Sequence, residues 1–217
     1  MLRLPEKKPD MPNLFHTGYS LFGAEDITSY GANLHVAGDV YSGGNFTFGG
    51  SEIMVNGACS AVGAIHAYTG NAVFAERLPF AEEQPMPVLR ENLMQELLTA
   101  NSVDYLEAYN STMITRPTYC MRTTGAYCPK LSINETLVCE GNLHVSTDTA
   151  ILGEEREVAI CSLNGDITIQ GSHLYGKGMI YAPHGTVTIN VFDMKYRGSI
   201  IARRIILQGT DMILEQP

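Results

Sequence analysis

With 217 residues, 45% of them hydrophobic and 17% charged, the chain can bury a sizeable core and carries too little charge for disorder or long solvated helices. Its 23 acidic against 14 basic residues, a net charge of −9, and the lack of any Lys/Arg cluster argue against a nucleic-acid or anionic-membrane binder. No stretch approaches the roughly 18 apolar residues of a membrane helix, and 21 glycines without a tryptophan point to a turn-rich β protein.

Residues 1–30 are expected to form an N-terminal segment and a cap. The opening Met1-Leu-Arg-Leu-Pro-Glu-Lys-Lys-Pro-Asp10 has charges but no apolar run behind them, so it does not read as a signal peptide. Two settings are therefore expected, a cytoplasmic protein or a part of a longer secreted one.

Residues 31–75 begin a repeat. Gly38-Asp-Val-Tyr-Ser-Gly-Gly-Asn-Phe-Thr-Phe48 has a glycine, a short apolar pair, a turn and an apolar strand. Gly63-Ala-Ile-His-Ala67 is a shorter copy, and Ala32-Asn-Leu-His-Val36 is echoed later by Gly141-Asn-Leu-His-Val145.

Residues 76–136 read differently, as a helical and loop insertion. Pro79, Pro85 and Glu82-Glu83 mark a linker, and Pro87 suits a helix start. Leu89, Leu93 and Leu97 follow helical spacing, which predicts a helix over about 87–99 and a second short one near 103–109. The leucine stripe is expected to pack on the wall of the repeat block or close one end, with partner binding as the alternative. Residues 110–136 read as an irregular excursion. There Cys120 and Cys128 either close a small disulfide loop or stay reduced as small hydrophobes; the spacing leaves both open.

Residues 137–217 resume the repeat. Gly178-Met-Ile-Tyr-Ala-Pro-His-Gly-Thr-Val-Thr-Ile189 and Gly198-Ser-Ile-Ile-Ala-Arg-Arg-Ile-Ile-Leu207 start 20 residues apart, and Gly165-Asp-Ile-Thr-Ile169 matches Gly185-Thr-Val-Thr-Ile189 at the same spacing. Strands such as Ile167-Thr168-Ile169 alternate, so one face points inward. Gly, Asn and Asp are expected to serve the corners by accepting positive φ. One such unit cannot bury its own apolar face, but stacked units share a core. The expected fold is all-β: a single-stranded right-handed parallel β-helix, or β-solenoid, of about six rungs with a helical insertion or cap, forming one continuous domain.

The strings at 178–189 and 198–209 resemble the β-helical segments of bacterial surface and pilus-associated proteins, and also the rungs of bactofilins, the polymer-forming cytoskeletal proteins. The resemblance implies self-association, adhesion or scaffolding, and brings no catalytic residues with it. The helical insertion and the cysteine-bearing loop depart from bactofilins and favour a surface or envelope protein, extracellular and part of a larger chain.

Catalysis on such a fold calls for carboxylates or bases stacked on successive rungs. Asp166 aligns with Thr186, and Asp39 with Met179 and Ser199, so no carboxylate column is expected. His35 and His144 are expected to face outward, while His173 and His184 fall at corners that do not stack. Thr47, Thr168 and Thr188 occupy equivalent outward positions, a column that suits polysaccharide hydroxyls but equally suits a plain exposed strand. The expected function is a non-enzymatic structural or adhesion module with no cofactor and no metal, whose partners are further copies, other surface proteins or polysaccharide. A bactofilin-like scaffold and a carbohydrate-binding or carbohydrate-active protein are the alternatives.

Overall fold

The computed structural model describes residues 18–89, 95, 98–99, 101–103, 107–108, 110–153 and 158–216. The fold is an all-β parallel β-solenoid. It makes about nine turns where the repeats suggest six. Three walls run along it. The middle, outward residues of the second wall follow one another as Gly125, His144, Thr168, Thr188, Ile206, Thr28, Thr47 and His66.

That succession holds the main surprise, because coils do not stack in chain order. The first described coil in space is 101–117, and coils then climb through 118–136 to 198–216. Upon coil 198–216 sits coil 18–37, with Leu21 on Ile200, Ile27 on Ile205 and Leu34 on Met212. Coils 38–56 and 57–75 follow, and residues 76–79 lie on Ala58–Ala61 as the uppermost strand. The two repeat blocks are thus one solenoid, but joined in the reverse of the expected order. The joint is hydrogen-bonded on all three walls, for example Glu25 N–H to Arg203 O (2.7 Å), Tyr30 N–H to Leu207 O (2.9 Å) and Ala37 N–H to Leu214 O (2.8 Å). Glu25 also receives both Arg203 and Arg204 across it, at 3.2 and 3.0 Å.

Several expectations change with this geometry. Coil formation begins at Tyr19 rather than at residue 31, and residues 1–17 lie outside the described residues. The excursion expected at 110–136 is a run of short strands, Thr112–Ile114, Thr118–Cys120, Thr124–Tyr127 and Lys130–Ile133, each in register with the coil above. Its third-wall inward sites hold Ile114, Leu131 and Ile133, but Thr124 and Ala126 take inward sites that carry larger aliphatics elsewhere and Cys120 does not look like core, which hid the repeat. The second short helix gives way to Asn101–Val103 and Glu107–Ala108, which pair with Thr118–Cys120 and with Gly125 and Ala126. Of the first helix, Leu93 and Leu97 lie outside the described residues; Gln95 and Leu98 are helical, and Thr99 N–H donates to Gln95 O at 3.0 Å.

The corners also work differently. The glycines and Asx residues at the entry to the second wall do not take positive φ. A Cβ on Gly185 would stand 1.8 Å from Gly165 O, so these glycines serve close backbone approach. The Asx side chains bridge upward instead: Asn142 Oδ1 accepts from Asp166 N–H (2.9 Å), Asp166 Oδ1 from Thr186 N–H (2.7 Å), and Asn45 Oδ1 from Ala64 N–H (2.9 Å). Positive φ falls to glycines that open first-wall strands, such as Gly178 (107°) and Gly198 (146°), and to Gly209 (119°) and Asp211 (49°) at the entry to the third wall.

Candidate functional site

The first wall is apolar on both sides. Ile160, Ile180, Ile200, Leu21 and Val40 point into the solenoid, while Val138, Cys161, Tyr181, Ile201, Phe22 and Tyr41 form a second ladder facing out. The sequence leaves open which residue of Ile180-Tyr181 enters the core; Ile180 does. The outward ladder is covered by a strap, residues 80–89, which leaves the last coil and runs back down the wall. Tyr41 Oη accepts from Gln84 N–H (2.7 Å), Tyr181 Oη donates to Pro87 O (2.9 Å), and Leu89 is buried among the ladder residues. Leu89 is therefore a wall-packing residue.

The five cysteines are buried and none is in a disulfide. Cys120 and Cys128 stand at different corners of one coil. Cys120, Cys139, Ser162, Ala202, Gly23, Ser42 and Ala61 share a single inward corner where only small side chains fit. Cys139 Sγ donates to Arg122 O (2.9 Å) of the neighbouring coil, much as the Ser162 and Ser42 hydroxyls donate across to Gly141 O and Glu25 O. Burial pushes the Cys59 and Cys161 thiols up to about 12.

Outward chemistry concentrates on the second and third walls. Thr168 and Thr188 are consecutive on the second wall, and Thr47 lies beyond Ile206 and Thr28, with His144 and His66 flanking the series. Thr28 is the member that the repeat comparison missed. Two residues further along each strand runs a parallel column: Tyr127, Ser146, Gln170, Asn190, Gln208, Tyr30, Gly49 and Tyr68. Neither column contains Asp, Glu, Lys or Arg above coil 101–117, although the chain as a whole is 17% charged. Tyr30, Tyr68 and Tyr127 are 62%, 71% and 48% exposed, and the Tyr68 ring lies parallel to His66 at 5.9 Å.

On the third wall, His173 is brought to Asp193 and Tyr175. Tyr175 Oη donates to Asp193 Oδ2 (2.5 Å) and lies 3.1 Å from His173 Nδ1. The hydrogen bond to Asp193 raises the Tyr175 hydroxyl above its ordinary range. The 20-residue period aligns His173 with Asp193 and was the signal that would have found this trio. His184 stands at another corner. Asp193 and Asp211 precede the paired Met194 and Met212 on successive coils, but their carboxylates have separate partners, the Tyr175 hydroxyl for Asp193 and the Asn33 amide (2.7 Å) for Asp211. Asp166 and Asp39 are committed to backbone N–H groups, Thr186 and Ala58. Among the described residues no group of His, Cys, Asp and Glu is arranged to hold a metal ion, and no helix is long and apolar enough to cross a membrane.

The upper end is partly closed. Arg77 takes the inward position above Cys59, lays its guanidinium 6.0 Å from the Phe74 ring centroid and donates to Ile65 O. Pro79 follows on the same edge strand, while Val73 remains 55% exposed. Compared with known proteins, the chain matches no family model, no curated protein and no solved structure.

Proposed function

We propose that this chain is a non-enzymatic structural module, a rigid rod that displays its outward faces, in a bacterial surface or envelope protein. The observation that carries the reading is Arg77. A charged residue and a proline on the terminal strand are among the devices by which sheet edges are kept from pairing with further chains, and Arg77, exposed at the open end over Cys59, and Pro79 supply both. The strap adds to it by covering the outward apolar ladder of the first wall. With that end blunted and one wall covered, the second and third walls are left as working surfaces.

The alternative is a polymer-forming scaffold of the bactofilin type, favoured by the free edge at residues 71–74, where Val73 is exposed and Phe74 only half-buried. Light scattering and negative-stain microscopy separate the two. A monomer whose Arg77→Leu variant associates with rising concentration supports the display module; filaments of the unaltered chain establish the scaffold and overturn it.

A further inference from the structure

We infer that the second wall is a binding surface for a linear, neutral polysaccharide lying along the solenoid axis. The inference rests on the display reading and adds a ligand class to it.

The wall's coils are parallel and in register, and they repeat at roughly 4.8 Å. A ligand that repeats along its own length can therefore meet the same side-chain chemistry coil after coil and gain by many weak contacts. Sugar hydroxyls both donate and accept, and so do Thr188, Gln170 and Asn190, which stand outward on two adjoining columns. Gln170 and Asn190 are exposed, and neither has a hydrogen bond to another described side chain. Tyr127, Tyr30 and Tyr68 lie on one of these columns and offer exposed ring faces, the platform on which the C–H side of a pyranose stacks. Rings this exposed lose area to water unless something covers them.

Charge selects among ligands. The two columns are free of formal charge above coil 101–117 on a chain of net charge −9, so neither a polyanion nor a polycation finds a complement. A protein interface is also rich in tyrosine, but its core is more apolar than the surrounding surface, whereas Ser146, Gln170, Asn190 and Gln208 fill the middle of the tyrosine column. Ile206 is the single aliphatic residue on the two columns, half-buried between Thr188 and Thr28. A neutral glycan fits what is left.

The test is affinity electrophoresis of the full chain in gels holding hydroxyethylcellulose, glucomannan or xylan, with polygalacturonate as the charged control. Retardation by at least one neutral glycan, little changed at high salt, is expected. Tyr30→Ala and Tyr68→Ala should each weaken it about 2- to 10-fold while circular dichroism and melting stay unchanged, because both side chains are exposed. No retardation by any neutral glycan, retardation confined to polygalacturonate, or Tyr variants that bind as the parent does would overturn the inference. Solution mass, measured in parallel, keeps the two proposals apart: filaments that still bind refute the display module alone, and a monomer that does not bind refutes the glycan surface alone.

Discussion

Leu21 and Ile200, far apart in the chain, are register partners on adjacent coils and are both fully buried. Between them the solenoid crosses from its last chain-order coil to its first. No covalent link among the described residues follows the coil path there, so packing and the hydrogen bonds of three walls hold it.

Leu21→Ala and Ile200→Ala should each cost about 2–5 kcal/mol. Because the two side chains touch across the joint, their effects should also couple, by about 0.5–3 kcal/mol in a double-mutant cycle. Equilibrium unfolding in urea reads both. Strictly additive losses would mean that the two coils are not packed on each other.

The strap spans that joint. Tyr41 belongs to the upper block and Tyr181 to the lower, and each hydroxyl holds a strap backbone group. Tyr181→Phe should cost about 0.5–1.5 kcal/mol and quicken limited proteolysis between residues 81 and 89. Unaltered cleavage there would detach the strap from this hydroxyl.

Alkaline conditions should unfold the chain. Cys59 and Cys161 ionise near 9 when exposed and near 12 when folded, because burial disfavours the thiolate. The folded state thus keeps protons that the unfolded state releases. Stability from this source is complete below pH 9 and is lost as pH rises from 9 towards 12. Melting temperature should fall across that window and fall less in Cys161→Ala, once the offset from the cavity is subtracted at pH 7. Thiol labelling at pH 8 should be slow for all five cysteines until denaturant is added.

Asp166→Ala leaves the Thr186 N–H without its acceptor at a corner of the solenoid. The loss should be about 1 kcal/mol, with faster amide hydrogen exchange at Thr186 than in the parent. An exchange rate equal to the parent's would show that the carboxylate does not hold that corner.

The repeat was legible where inward sites are large and aliphatic. Ile167 and Ile169, or Val187 and Ile189, alternate with threonine, and alternation fixes which face is inside. It faded at 118–136, where Thr124, Ala126 and Cys120 fill inward sites without looking like core residues. The Tyr181 ladder was illegible for another reason: with both sides of a strand buried, alternation vanishes. Stacking order could not be read at all, since every coil presents a similar three-walled profile and Ile200 would suit many neighbours besides Leu21. The threonine positions on the second wall followed from spacing, but the lack of charge on its two columns above coil 101–117 appeared only when the coils were placed in their true succession, which set Thr28 and Tyr30 between segments remote in sequence.

A rod read from end to end bears tension along its whole length, and this one does not. Gly18 opens the coil above the joint and Gln216 closes the coil below it, so a pull applied between those points loads one interface while the outer coils stay slack. The joint should part as a single mechanical event, governed by its own rate of opening. The two blocks, still wound, would then separate as the strap of residues 80–89 peels from the first wall. Coils would unwind only after the strap is free, giving a short first extension followed by a stiffer second regime.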